Sequence, residues 1–135
     1  SRAIEVVEEP VREYPLLGNI AAGKPIEVLD HREVVALLPD AGDKDIFVLR
    51  VKGNSMIEDH IQDGDYVIIE RRNVAENGET VVALIDNDQA TLKRFYREKG
   101  RVRLQPAHPN MKPIIVREGN FAIQGVVIGV LRKFG

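Results

Sequence analysis

The chain contains no cysteine. That excludes a disulfide framework and a thiolate metal site, and it fits a reducing compartment such as the cytoplasm. Histidine is scarce: His31, His60 and His108 are scattered without the spacing that a zinc site needs. Asp59, Asp63 and Asp65 lie close together but do not fit a calcium loop, whose glycine and terminal glutamate are out of place here. No glycine-rich phosphate loop is present, so the sequence asks for no metal and no cofactor. Long apolar runs are lacking as well. The run at 126–131 is far too short to span a bilayer, and no signal-peptide pattern opens the chain, so no membrane association is expected. An excess of one charge is also missing. The net charge is −2, which leaves no global basic field to draw the chain to nucleic acid.

What is present is an ordinary globular balance. Of 135 residues, 44% are hydrophobic and 30% charged, enough for one domain with a proper core. Glu5, Glu8, Glu9 and Glu13 surround Pro10, so residues 1–13 read as a linker remnant and 14–135 as the domain. Short strand-like runs at 46–51, 66–69, 80–85, 90–97, 101–105 and 114–116 are separated by turn residues such as Asn77-Gly78 and Lys99-Gly100. A longer apolar run at 121–134, broken by Gly125 and Gly129, reads as a strand or strand pair. The fold class this predicts is mostly β, an antiparallel β-sandwich or partly open barrel. Residues 33–38 fit a short strand or a helical turn equally well. Residues 14–25, punctuated by Pro15, Gly18, Gly23 and Pro25, read as a turn between two short edge strands or as an accessible extended peptide.

One corner is suited to chemistry. The run 46–51 leads into Gly53, and Ser55 sits where the strand pattern breaks. The turn Gln62-Asp63-Gly64-Asp65 then starts the next strand. A serine on such a corner can hold its hydroxyl exposed, as a nucleophile must. Ser55-x-x-Glu58 also matches a capping box, in which the serine merely satisfies a turn. The two readings are compatible, because a helix N-terminus offers free N–H groups to an oxyanion. None of the histidines sits in a recognisable triad motif, so the base must come from elsewhere. A buried, neutral lysine would serve. Strand alternation at 91–96 puts Thr91, Lys93 and Phe95 on one face and Leu92, Arg94 and Tyr96 on the other. Both faces carry apolar groups, so Lys93 is open to two readings, an inward amine or a solvated strand lysine. Lys93, Arg94, Arg97, Lys99, Arg101 and Arg103 crowd one hairpin, which is either solvated or a patch for an acidic partner.

Asn19-Ile20-Ala21-Ala22-Gly23, Val51-Lys52-Gly53-Asn54-Ser55-Met56, Asp63-Gly64-Asp65 and Thr91-Leu92-Lys93-Arg94 occur in that order. Together they resemble the C-terminal domain of bacterial LexA repressors over nearly the whole chain, from residue 14 to about 134. Phage repressors and mutagenesis proteins share that fold and its serine–lysine dyad, but Ala-Ala-Gly favours a repressor, since the mutagenesis proteins usually carry Cys-Gly there. The resemblance implies a mostly β fold of the signal-peptidase-like type. It implies a serine endopeptidase of the SOS response in which Ser55 is the nucleophile and Lys93 the general base. The backbone N–H groups of Asn54 and Ser55 would form the oxyanion hole, and the bond between Ala22 and Gly23 would be cut by the chain itself. The partners it implies are a RecA filament on single-stranded DNA, a second copy in a homodimer, and operator DNA. The operator would be reached only through an N-terminal helix-turn-helix domain that this sequence does not contain. Gln89 departs from the pattern, since many relatives have an acid there. Two other classes compete: a non-catalytic dimerisation module, and a signal-peptidase-like enzyme acting on other chains.

Overall fold

In the computed structural model, which describes residues 12–37, 44–86 and 88–134, nine strands occur among the described residues. They are β1 (Arg12–Ile20), β2 (Glu27–Leu37), β3 (Ile46–Val51), β4 (Tyr66–Glu70), β5 (Thr80–Ile85), β6 (Gln89–Glu98), β7 (Arg101–Gln105), β8 (Ile114–Val116) and β9 (Phe121–Leu131). Among the described residues two short 3-10 turns, Ile57–Asp59 and Glu118–Asn120, interrupt them. The stretch 1–11, most of the expected linker, lies outside the described residues, as do 38–43 and Asn87. The strands form one sheet in the order β2-β1-β3-β4-β9-β5-β6-β7-β8, not closed into a barrel. The mostly β expectation holds. One pairing departs from a purely antiparallel plan: β1 runs parallel to β3, with Ile20 opposite Val51. Residues 33–38, ambiguous in sequence, belong to β2 as far as Leu37, and residues 121–131 form one strand.

Period-2 alternation explains why the sheet has to curl. On β3, Phe47, Leu49 and Val51 enter one apolar cluster while Ile46 and Val48 enter another. β5 is divided the same way, with Val82 in the first cluster and Val81 and Ala83 in a third. Strands buried on both faces need cover on both faces, so the sheet bends until its two halves meet. The first cluster lies where they meet. It joins Ile20 of β1, Leu49 of β3 and Ile69 of β4 to Ala90 and Leu92 of β6, together with Met56 beside Ser55.

β9 lies between β4 and β5, and its register shifts against both. Gly125 flanks the shift against β5. A Cβ built there would lie 2.7 Å from the Glu70 carbonyl oxygen and would also strike the Ile69 side chain. Neither neighbour can withdraw, because Ile69 is fully buried and Glu70 is paired in β4. Gly125→Ala is therefore expected to destabilise the fold by about 1–3 kcal/mol, a loss that a urea titration reads directly.

Candidate active site

Three local features shape the corner at residues 51–65. Gly53 takes φ +100°, a conformation that side-chain-bearing residues avoid, and turns the chain out of β3. Its N–H donates to Asp63 Oδ1 at 2.8 Å. Gly64 donates to the Val51 carbonyl at 2.7 Å, and Val51 donates to the Asp65 carbonyl at 2.8 Å. The Asp-Gly-Asp turn is thus the clasp that fixes the corner. Asp65 itself is buried and accepts from Gln62 N–H and from both Nε and Nη2 of Arg132. The Arg132 guanidinium and burial act in opposite directions on this carboxyl, and the guanidinium wins, holding its pKa below the usual value. Arg132 also donates to the His60 carbonyl, which secures the far end of the turn.

Ser55 is half-buried on this corner, and its hydroxyl does not cap the turn that follows. That turn starts after Met56 and has no side-chain cap, so the capping-box account does not describe the structure. The hydroxyl lies instead 3.3 Å from Lys93 Nζ. Lys93 is 1% exposed. Thr91, Lys93 and Phe95, which alternation assigns to one face of β6, are all buried, and so is Leu92 on the other face. Nζ has two further oxygen partners, Thr91 Oγ1 at 2.8 Å and the Leu92 carbonyl at 3.2 Å. As an ammonium it has three N–H groups for three oxygens. As an amine it donates to Thr91 and Leu92, and its lone pair accepts from the Ser55 O–H. One geometry therefore serves both protonation states. None of these partners carries a charge, so desolvation goes uncompensated and burial lowers the lysine pKa from 10.5 to about 8.

Ser55 opens into a cleft of about 260 Å³ lined by Ala21, Ala22, Lys52, Gly53, Asn54 and Met111. Ala22 and Gly23 form an exposed turn between β1 and β2. The strap is held on both sides of that turn: Lys52 N–H donates to the Ile20 carbonyl at 2.9 Å, and Ala90 N–H donates to the Lys24 carbonyl at 2.8 Å. The two strands that pin it are those leading to Ser55 and Lys93. Among the described residues, the N–H groups of Asn54 and Ser55 donate to no protein acceptor. The structure thus brings Ala22, Asn54, Ser55 and Lys93 to one place.

Thr91 and Met111 have no role in the sequence reading. Thr91 was within reach of it, because residues two apart on a strand share a face. Met111 sits on the loop after β7 and carries no sequence signal. Four arginines of the crowded basic hairpin are paired: Arg94 meets Asp59, Arg97 meets Glu118, and Arg101 and Arg103 meet Glu98. Among the described residues no group of histidine and acidic side chains is placed to hold a metal, and no helix is long and apolar enough to cross a membrane.

Residues 15–128 match the family described as Peptidase S24-like. Similar curated proteins include the LexA repressor of Koribacter versatilis, 54% identical over 120 residues that cover 89% of this chain and 57% of that protein. The LexA repressor of Syntrophotalea carbinolica is 47% identical over 133 residues, covering 97% of this chain and 65% of its own. That of Bacillus subtilis is 44% identical over 141 residues, covering 97% and 68%. The chain thus spans between about half and two thirds of the length of these relatives.

Proposed function

The chain belongs to the Peptidase S24-like family, among its LexA repressors, and we propose that it is a serine endopeptidase domain that cuts its own backbone between Ala22 and Gly23. Ser55 is the nucleophile and Lys93 the general base. One observation carries the reading: a lysine 1% exposed, its Nζ 3.3 Å from a serine hydroxyl that shares a cleft with Ala22. Lys93, as a neutral amine, takes the proton from Ser55. The oxygen attacks the Ala22 carbonyl, and the negative charge that develops meets the Asn54 and Ser55 N–H groups. The Ala22–Gly23 bond breaks as Lys93 returns the proton to the Gly23 nitrogen. Water then releases the acyl group from Ser55, again with Lys93 as base. Small residues on both sides of the bond admit the attacking oxygen. Strap and serine belong to one chain, so high effective molarity compensates for a modest base.

In a whole repressor this cut separates the present domain from a DNA-binding one and so ends repression. We propose that a RecA filament on single-stranded DNA speeds the cut by stabilising the strap over Ser55, which shifts a population without adding a catalytic group. Homodimerisation and cytoplasmic location complete the same reading.

The test is the pH profile. Only the amine form of Lys93 acts as base, so the rate of self-cleavage should climb about tenfold per pH unit below a midpoint near 8 and level off above it. At pH 7 about a tenth of the molecules hold the amine. Fragment masses after incubation across pH 6–10 read both the profile and the bond. A flat profile, or a break elsewhere than Ala22–Gly23, defeats the proposal.

A further inference from the structure

The turn that carries Ser55 meets the strand that carries Lys93 at a second place. Arg94 Nε donates to Asp59 Oδ2 at 2.8 Å, and Arg94 Nη2 donates to Asp59 Oδ1 at 2.7 Å. A planar fork on a carboxylate fixes angle as well as distance. Arg94 follows Lys93 directly, so the backbone of β6 sets their separation. Ser55 and Asp59 lie at either end of one tight turn, closed by Ile57 N–H to the Asn54 carbonyl and Asp59 N–H to the Met56 carbonyl. The result is a frame with two stiff sides. The Asp59–Arg94 fork joins them at one corner, and the Ser55–Lys93 contact joins them at another.

The remaining ties of this turn go elsewhere. Glu58 N–H donates to the Ala107 carbonyl and Ala107 N–H to Met56 Sδ, which anchors the turn to the loop after β7. Arg132 anchors its far end to the segment after β9. Among the described residues, the Asp59 fork and the serine are the turn's side-chain hydrogen bonds to β6, beside the apolar packing of Met56 in the cluster that holds Ala90 and Leu92. The fork is partly solvated, with side-chain exposure of 42% for Arg94 and 19% for Asp59, so solvent screening limits what it adds to global stability. Its leverage is geometric. The serine contact is long at 3.3 Å, so a small swing of the turn away from β6 breaks it.

We propose that Asp59 and Arg94 are positioning residues, a brace that holds the Ser55 hydroxyl against the Lys93 amine. The inference rests on the Ser55/Lys93 reading above. It predicts that loss of the fork slows serine chemistry while leaving the fold in place.

The experiment compares native chain, Asp59→Asn, Arg94→Gln and the exchanged pair Asp59→Arg/Arg94→Asp. Two rates are followed at pH 9: self-cleavage, and labelling of Ser55 by a fluorophosphonate, which reports the serine without using the strap. Both single variants should lose about ten- to a hundredfold in both rates, the scale of a misplaced reactive group. Their melting temperatures should stay near native, and the exchanged pair should recover most of both rates. Single variants that label and cut at the native rate overturn the brace. So does an exchanged pair no faster than the singles, and so does slow cutting with native labelling, which would place the pair's effect on the strap. A native chain that neither cuts nor labels instead defeats the peptidase reading itself, and the brace with it.

Discussion

Ser55→Ala and Lys93→Met are each expected to lower self-cleavage by on the order of 10⁴-fold or more, with the double variant no slower than either single one. Nucleophile and base act as one unit, so removing either leaves the other without a task. Methionine is the right replacement at 93. The site is 1% exposed, and alanine there would open a cavity whose collapse confuses the result. Methionine keeps the apolar stem between Thr91 and Phe95 and removes only the amine. Ser55 is half-buried, and its hydroxyl is bonded to Lys93. Ser55→Ala therefore removes one contact and leaves Thr91 Oγ1 and the Leu92 carbonyl on Nζ. Both variants should melt as single cooperative transitions. The measurement is fragment yield at pH 9 over days, with fluorophosphonate labelling alongside. Lys93→Met should also label slowly, because Ser55 then has no acceptor for its proton. A Lys93→Met chain that cuts within a few-fold of native would show that the amine is not the base.

Much of this was legible in the sequence, and the gaps have physical causes. The runs 46–51, 80–85, 101–105 and 114–116 become strands with those bounds, because alternation and turn residues are local signals. The parallel pairing of β1 with β3 was not legible, since it depends on where the chain returns after β2. The ambiguity of 33–38 has a similar origin. β2 is an edge strand whose Asp30, His31 and Arg32 face solvent, so its apolar period is broken. The inward direction of Lys93 could not be decided because the sheet is covered on both faces. Leu92 enters one cluster and Phe95 another, so apolar neighbours on both sides gave no vote. In the sequence Arg94 is one cation in a crowded hairpin. Its partner, Asp59, is 35 positions away, and nothing local announces it. The serine corner was the most legible part, because Gly53, Ser55 and the Asp63-Gly64-Asp65 turn are close in sequence and meet directly in space.

The buried amine should also be visible in the stability of the protein. Burial lowers the Lys93 pKa from 10.5 to about 8 in the fold, while the unfolded chain keeps a value near 10.5. Between these values the unfolded state binds more protons, so stability rises with pH across that window. Below about pH 8 the ammonium is charged in both states, and the fold carries the full desolvation penalty of about 3 kcal/mol. Above about 10.5 the penalty is gone. Lys93→Met has no such term. Its stability relative to the native lysine should therefore fall by about 3 kcal/mol from pH 7 to pH 11. The Thr91 hydroxyl and Leu92 carbonyl lose a partner in this variant, which offsets the whole curve without changing its slope. Both chains are best compared with Ser55→Ala in place, so that self-cleavage at high pH does not consume the sample. Urea titrations at unit steps of pH give the difference curve. A midpoint between 8 and 10.5 is expected, and two parallel curves would mean that the lysine reaches water and holds its ordinary charge, an outcome that also removes the proposed base.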